Sequence, residues 1–474
     1  MKFTHDVIVI GAGAAGLTAA GGCALFGLRV ALIESHKMGG ECLNNGCVPS
    51  KALITAAKRA AEAREEKRYG VQLAAPRIEW PGVHAHIHDA IARIAPHDSQ
   101  ERFEEMGCDV YRGHASFIGK RKVQIDDVVL KAPRIVIATG SQPAIPPIDG
   151  LDQVPYLTNE NIWDLETLPQ HLVIIGGGVI GMEMAQSFRR LGSEVTVIEP
   201  GELMARDDPE SVAVVVDQMK SEEVMFVTGK ATKVTPGALG SFTVTLEDGQ
   251  EVAGTHLLIA VGRKARVEGL GLGRIGVETG SNGILVDARR RTNRRHIYAI
   301  GDCRDGPRLT HVSGYEGSNV ALEITLGLPT KVDWSALPWC TYTDPEIAQI
   351  GLTEAQAREK FGEKMVVVRE GFDHNERAIA EGDTRGHIKV MMNGKKVVGA
   401  SIVGKNAGEL LLPFTQLITG KASTFALGSA IVAYPTRSEI SKAAAFSAWE
   451  GTVFGKVPTG YAKTRAWFRR MRPF

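Results

Sequence analysis

The apolar positions of this chain come mostly in short unbroken runs rather than in alternation. Asp6 to Ile10, Arg29 to Ile33, Leu172 to Ile175 and Val195 to Ile198 each read as a strand buried on both faces, the pattern of a parallel sheet. A helical stretch separates the members of each pair, Leu17 to Leu25 in the first and a helix reaching Leu191 in the second. Two similar strand-to-glycine segments follow, Arg134 to Pro143 through Gly140 and Leu257 to Ala265 through Gly262. Ile297 to Ile300 is a further strand, ending in Gly301-Asp302, and Gly306 to Ala321 gives a loop and a helix beginning near Thr310. From about Trp334 the texture changes to antiparallel-looking strands and amphipathic helices. Lys364 to Arg369, His387 to Met392 and Val397 to Val403 read as strands, with Asn393-Gly394 as a hairpin turn. The pattern predicts an α/β chain with two doubly wound folds, followed by an α+β domain.

Both doubly wound folds carry the glycine spacing that dinucleotides require. In the first, Gly11 allows the tight turn, Gly13 lets the backbone approach a pyrophosphate, and Gly16 lets helix pack on strand. Glu34 closes the second strand, where an acid takes ribose hydroxyls. In the second fold Gly176, Gly178, Gly181 and Glu199 repeat the arrangement. Two such folds imply two nucleotides, or one nucleotide and one flavin. The carboxylate of Glu199 repels a 2′-phosphate, which favours NADH over NADPH, while Arg206 a few residues on acts in the opposite direction.

Composition narrows the picture. A chain of 474 residues exceeds one core, so about three domains are expected. A formal net charge of +1 gives no global reason to expect nucleic acid or a membrane surface. Met1 to His5 lead straight into a strand without a signal-peptide pattern, and the glycine-broken apolar runs predict no spanning helix. Of the six cysteines, Cys42 and Cys47 stand five positions apart in Gly39-Gly40-Glu41-Cys42-Leu43-Asn44-Asn45-Gly46-Cys47-Val48-Pro49-Ser50-Lys51. Such a pair suggests zinc or redox chemistry. Zinc wants four ligands and no second set follows at ligand spacing, so the pair reads as a redox dithiol. Cys23, Cys108, Cys303 and Cys340 are scattered and read as small buried residues, and a reducing cytoplasm is the expected location.

With both folds, the cysteine pair and Gly301-Asp302 in place, the chain resembles the class I pyridine nucleotide-disulfide oxidoreductases from about residue 5 to about residue 450. Dihydrolipoamide dehydrogenase, glutathione reductase and mercuric reductase are members. The resemblance implies an FAD-binding domain (1–147 and 265–333), an NAD(P)-binding domain (148–264) and a dimerisation domain (334–460), with a basic tail at 461–474. It implies a homodimer whose active site is shared across subunits. Gly11, Gly13, Gly16 and Glu34 would bind FAD, with Asp302 on its ribityl chain and the helix from Thr310 aimed at the flavin. Gly176, Gly178, Gly181 and Glu199 would bind the nicotinamide nucleotide. Cys47 matches the flavin-side cysteine, Cys42 the one that exchanges with substrate, and Lys51 and Glu183 a pair near the flavin.

One position departs from the disulfide-reducing members. Their C-terminal domain supplies His-Pro-Thr…Glu, whereas this chain reads Tyr434-Pro435-Thr436-Arg437-Ser438-Glu439. An unperturbed phenol has a pKa of about 10 and is a poor base at neutral pH. The mercuric enzymes also carry Tyr here, since a thiophilic metal ion needs thiolates and no proton relay, and the run Arg377 to Val390 is close to theirs. They usually end in a vicinal cysteine pair and often begin with a metal-binding domain; this sequence ends in Met-Arg-Pro-Phe and shows neither. The expected function is therefore mercuric reductase-like, NAD(P)H-dependent reduction of an ion such as Hg(II). A dihydrolipoamide dehydrogenase-like disulfide reductase is the alternative, and a redox-sensing or electron-relay flavoprotein the alternative of another class.

Two features stand apart from this chemistry. His84 and His88 would share a helix face at i, i+4 with His86 pointing elsewhere, and are expected to form a polar helix flank rather than a metal site. Tyr461 to Phe474 carries Lys463, Arg465, Arg469, Arg470 and Arg472 around Trp467 and Phe468, a basic amphipathic tail expected to be a solvated or partner-packed terminus.

Overall fold

The computed structural model describes residues 2–65, 69–71 and 74–471. The chain forms two compact units, one of Met1–Leu203 with Glu222–Val332 and one of Met204–Ser221 with Asp333–Phe474.

The first unit is built on two five-stranded parallel sheets. One has the order Ile297–Ala299, Arg134–Ile137, Val7–Ile10, Val30–Glu34, Cys108–Arg112. The other has the order Met225–Thr228, Glu194–Glu199, His171–Ile175, His256–Ile259, Tyr156–Leu157. Every pairing in both is parallel, which is why their strands are apolar on both faces. Val7, Ile8, Val9, Leu172, Val173 and Ile174 are all fully buried. Each such side chain contributes roughly 1.5–3 kcal/mol relative to exposure. Each parallel sheet is accompanied by a three-stranded antiparallel meander, at Ala115–Lys131 in one fold and Ala231–Gly254 in the other.

The internal duplication extends to single atoms. Gly11 and Gly176 hold φ of +106° and +116°, and a Cβ on them would fall 2.3 Å from the Ala138 carbonyl oxygen and 2.5 Å from that of Ala260. A Cβ at Gly16 or Gly181 would fall within 1.8 or 2.0 Å of the Gly11 or Gly176 oxygen, so only glycine lets each helix lie this close to its strand. The two strand-to-glycine segments do not merely resemble each other. After Gly140 and Gly262 they turn back as Ser141–Pro143 and Arg263–Ala265 and pair as an antiparallel ribbon.

The second unit is a five-stranded antiparallel sheet in the order Pro338–Thr341, Glu346–Gly351, Lys396–Gly404, His387–Asn393, Met365–Gly371, with helices packed against it. The hairpin is one residue on from the expected place. Asn393 pairs with Lys396, so the turn is Gly394-Lys395, with Gly394 at φ +62° supplying the left-handed position. The helix Pro209–Ser221 belongs to this unit, tied to the sheet by Ser211 and Ser401 hydroxyls 3.1 Å apart. Beside it the buried Lys389 ammonium lies 2.7 Å from Asp208, 2.9 Å from Glu210 and 2.8 Å from Glu354. Asp208, Glu210 and His387 could otherwise hold a metal ion, but the lysine already supplies the cation there. No helix among the described residues is long and apolar enough to cross a membrane.

Candidate active site

The dithiol sits where two helices begin. Cys42 lies on the short helix Gly40–Asn44, and Cys47 is the first residue of the 19-residue helix Cys47–Glu65. Thr310 is the first residue of Thr310–Leu326, and its hydroxyl lies 3.1 Å from the Cys47 sulfur. Two positive helix ends thus converge on one thiol, the arrangement that favours a thiolate. Cys47 is exposed, Cys42 half-buried, and the two are present as free thiols.

The pair is electrostatically asymmetric. The Cys47 thiol is lowered from 9.0 to about 6, chiefly by the Cys42 hydrogen bond, with Thr310 and the Lys51 charge acting the same way against the effect of burial. Cys42 is pushed up, chiefly by its hydrogen bond to Cys47 and then by burial. Cys47 is therefore the resting thiolate at neutral pH and Cys42 the proton-bearing partner. The thiolate absorbance of the reduced protein should titrate with a midpoint near pH 6, and this midpoint should rise toward the ordinary thiol range in Cys42→Ala but far less in Cys42→Ser, whose hydroxyl still donates. Equal midpoints in the two variants would show that the Cys42 hydrogen bond is not the cause.

One turn along, Lys51 donates to the Glu183 carboxylate at 2.9 Å. Glu183, 4 % exposed, comes from the helix Val179–Leu191 of the second fold. This charge pair, 132 residues apart in sequence, ties the dithiol helix to the second glycine motif. On the other side of Cys42, a polar network escaped sequence reasoning. Glu41 is ion-paired with Arg263 and hydrogen-bonded by Asn159. Arg263 also donates to the Ser141 hydroxyl at 2.8 Å, and Ser141 donates to Asp302 at 2.8 Å. Burial pushes the Glu41 carboxyl up, with Arg263 as the main opposing charge. The position of Arg263 straight after Gly262 was its one visible signal.

The turn bearing Asp302 is anchored from beneath. The Glu316 carboxylate accepts from the Gly301 backbone N–H at 2.7 Å and from Arg304 Nε at 2.8 Å, and Arg290 adds a third contact at 3.1 Å. Arg304 and Glu316 are both fully buried. Since Glu316 rides on Thr310–Leu326, one carboxylate sets both the Asp302 turn and the helix whose first residue touches Cys47.

The two glycine loops fit nucleotide phosphates. The helices Ala14–Leu25 and Val179–Leu191 start at Gly13 and Gly178 with no side-chain cap and no acid in the first turn, leaving their N–H groups for an anion. A Cβ at Gly178 would meet nothing within 4 Å, and at Gly13 only the Gly40 Cα at 3.7 Å. Glu34 accepts from the Ala12 and His36 backbone N–H groups at 2.7 Å, and Glu199 from Gly177 at 2.7 Å and Gly201 at 3.0 Å. The acids are held alike in both folds, each at the end of the second strand of its glycine motif.

Tyr434 and Glu439 lie in the second unit. Glu439 accepts from the Thr436 backbone N–H at 3.2 Å, and Tyr434 is 71 % exposed. His84 and His88 share a face of Trp80–Ile94, their Nε2 atoms 3.0 Å apart, with His88 also 3.2 Å from the Trp163 carbonyl oxygen. Their nitrogens serve each other and the backbone.

The family model of the pyridine nucleotide-disulphide oxidoreductases matches residues 5–317, and that of their dimerisation domain matches 337–445. The chain belongs to this family. It is an enzyme of the FAD-dependent pyridine nucleotide-disulphide oxidoreductase class, a family that binds FAD and a pyridine nucleotide. The mercuric reductase of Streptomyces lividans is 35 % identical over 455 residues, covering 93 % of this chain and 95 % of the relative. The dihydrolipoyl dehydrogenase of Synechocystis is 34 % identical over 465 residues, covering 92 % and 97 %. Among solved structures, a copper(II) complex of the HOCl-induced flavoprotein disulfide reductase RclA of Escherichia coli superposes with a TM-score of 0.83 at 26 % identity, covering 92 % of this chain and 98 % of that one. Relatives named mercuric reductase and relatives named dihydrolipoyl dehydrogenase thus stand at nearly equal identity to this chain.

Proposed function

We propose that this oxidoreductase uses NADH, or less readily NADPH, to reduce a thiophilic metal ion such as Hg(II) at the Cys42/Cys47 dithiol. The observation that carries the reading is Tyr434, which stands where a disulfide reductase needs a histidine. FAD and the nicotinamide nucleotide, when bound, supply hydride chemistry that moves two electrons at a time. Gly11, Gly13, Gly16, Glu34 and Asp302 would hold FAD, with Gly140 and the Thr310 helix start beside them. Gly176, Gly178, Gly181, Glu199 and Gly262 would hold the nucleotide.

The chain's own work is done by the cysteines and the groups around them. A metal ion arriving as a bis-thiolate exchanges its ligands for Cys42 and Cys47, releasing one small thiol, which takes up the Cys42 proton, and one small thiolate. Cys47 enters already deprotonated, so only Cys42 has a proton to give up. Lys51, held by Glu183, keeps a positive charge one turn below Cys47. Two electrons from the nicotinamide nucleotide then convert Hg(II) to Hg(0) and free both cysteines as thiolates, and the proton released as the nucleotide is oxidised returns to Cys42. No disulfide bond is cleaved and no leaving thiolate needs a proton from the protein, so Tyr434, reaching the site from a second copy in a homodimer, suffices as a hydrogen-bond donor.

The test is nicotinamide oxidation by the flavin-loaded enzyme with excess small thiol and, in turn, Hg(II), Cu(II) or lipoamide as acceptor. A metal-dependent rate well above the acceptor-free rate is expected with Hg(II), and NADH should exceed NADPH. A rate with lipoamide alone would replace this reading by the disulfide reductase, which Glu439 and the dihydrolipoyl dehydrogenase relatives favour. In that case Tyr434→His should raise lipoamide turnover, since a positioned base contributes about 10²–10⁴-fold.

A further inference from the structure

The C-terminal stretch is a single helix, Lys456–Met471, and every one of its residues is exposed. Residues 472–474 lie outside the described residues. A stripe of Val457, Tyr461, Thr464, Phe468 and Met471 follows alternating steps of four and three, which places it on one side of the helix, and Trp467 borders it. These are large groups to leave in water: Val457 is 83 % exposed, Tyr461 68 %, Trp467 53 %, Phe468 59 % and Met471 63 %. Lys456 and Lys463 flank the stripe on the Trp467 side, Arg465 flanks it on the other, and Arg469 and Arg470 lie behind. The helix contains no Asp or Glu.

We propose that this helix lies on an anionic phospholipid surface and docks the enzyme to a bilayer from one side. Cations on both flanks of an apolar stripe let the stripe enter the acyl boundary while the ammonium and guanidinium groups stay among the headgroup phosphates. Trp and Tyr are the aromatic residues suited to that boundary. At about 1.5 Å per residue the helix is about 24 Å long and too charged to span, so it lies in the plane of the surface. A second copy of the same helix is a poor occupant, because five cations would face five cations with no acid to answer them. The helix also has little reason to persist in water by itself. Gly460 weakens its second turn, and a 16-residue helix without a packed face is marginal. An external surface supplies the missing partner.

The full flavin-loaded enzyme should be sedimented with vesicles of phosphatidylcholine alone and of phosphatidylcholine mixed with phosphatidylglycerol. It is expected to pellet with the mixed vesicles at low salt, to be released as salt rises, and to stay in solution with phosphatidylcholine alone. Trp467→Ala/Phe468→Ala and Arg465→Glu/Arg469→Glu should each weaken binding about tenfold or more, while flavin content and oxidation of NADH by an artificial acceptor stay unchanged. Failure to bind the mixed vesicles, equal binding to both kinds, or binding that survives the variants would overturn the proposal. So would vesicle-free self-association abolished by Trp467→Ala/Phe468→Ala, which would make a second copy the occupant. Binding to polyglutamate without binding to vesicles would make it an acidic protein.

Discussion

Cys42→Ser will bind its flavin normally and still oxidise NADH with an artificial electron acceptor, yet its turnover with Hg(II) or lipoamide will fall by roughly 10⁴-fold or more, the scale seen when a nucleophile acting in concert with others is removed. The fold should not notice the change, because Cys42 is half-buried and Ser replaces one small polar group by another. What is lost is the soft ligand that exchanges with substrate. The hydroxyl can still donate to the Cys47 sulfur, so the inner thiolate stays low and the defect is confined to the outer position. Cys47→Ser should lose the same turnover and also the thiolate absorbance. Steady-state rates with both classes of acceptor, set beside the artificial-acceptor rate, separate the outcomes. A Cys42→Ser enzyme within tenfold of the parent would mean that electrons reach substrate without passing this pair.

The second large effect is one of stability. Glu316→Ala should destabilise the first unit by about 3–5 kcal/mol, the usual consequence of removing one partner from a buried ion pair. Arg304 would be left fully buried without the Glu316 carboxylate, and Arg290 would lose its contact with it. The Gly301 N–H would lose its acceptor as well. Because Glu316 also joins the Asp302 turn to the helix from Thr310, flavin retention should fall along with stability. Glu316→Gln keeps the shape and one acceptor, and should lie between. Denaturant unfolding of the flavin-loaded proteins gives the first number and flavin released per subunit the second. Loss of stability with full flavin retention would show that the pair is structural only.

The parts of this molecule that were legible in the sequence are those written in local periods. Val7–Ile10 and His171–Ile175 announce themselves because strands buried on both faces need unbroken apolar runs. Gly11, Gly16, Gly176 and Gly181 stand at fixed offsets because a Cβ at any of them would strike a neighbouring carbonyl. The polar network of Glu41, Ser141, Asn159, Arg263 and Asp302 was not legible, since its members come from five separate stretches and share no period. Nor was Lys389, which reads as an ordinary strand cation but is buried among three carboxylates, two of them near or on a helix reached almost two hundred residues earlier. The helix Pro209–Ser221 falls within the 148–264 span that the resemblance implies for the nucleotide domain, and its packing groups it with the antiparallel sheet. The hairpin slipped by one residue because Asn393-Gly394 and Gly394-Lys395 are both acceptable turn pairs, and the strand register decides between them.

The strand order of the first sheet has a consequence for how the protein is made. Its strand Ile297–Ala299 pairs with Arg134–Ile137, and the helix that touches Cys47 begins only at Thr310. The second sheet, by contrast, is complete in sequence once His256–Ile259 has left the ribosome. The chain therefore emerges with its dithiol segment first and the strand and helix that complete its site last. For more than two hundred residues of synthesis Cys42 and Cys47 follow strands of an unfinished sheet, without the Thr310 hydroxyl that the folded site sets beside Cys47. The inserted fold is the earlier of the two to close, a reversal of the usual amino-terminal-first order. A nascent chain halted before residue 297 would carry both thiols without their finished site.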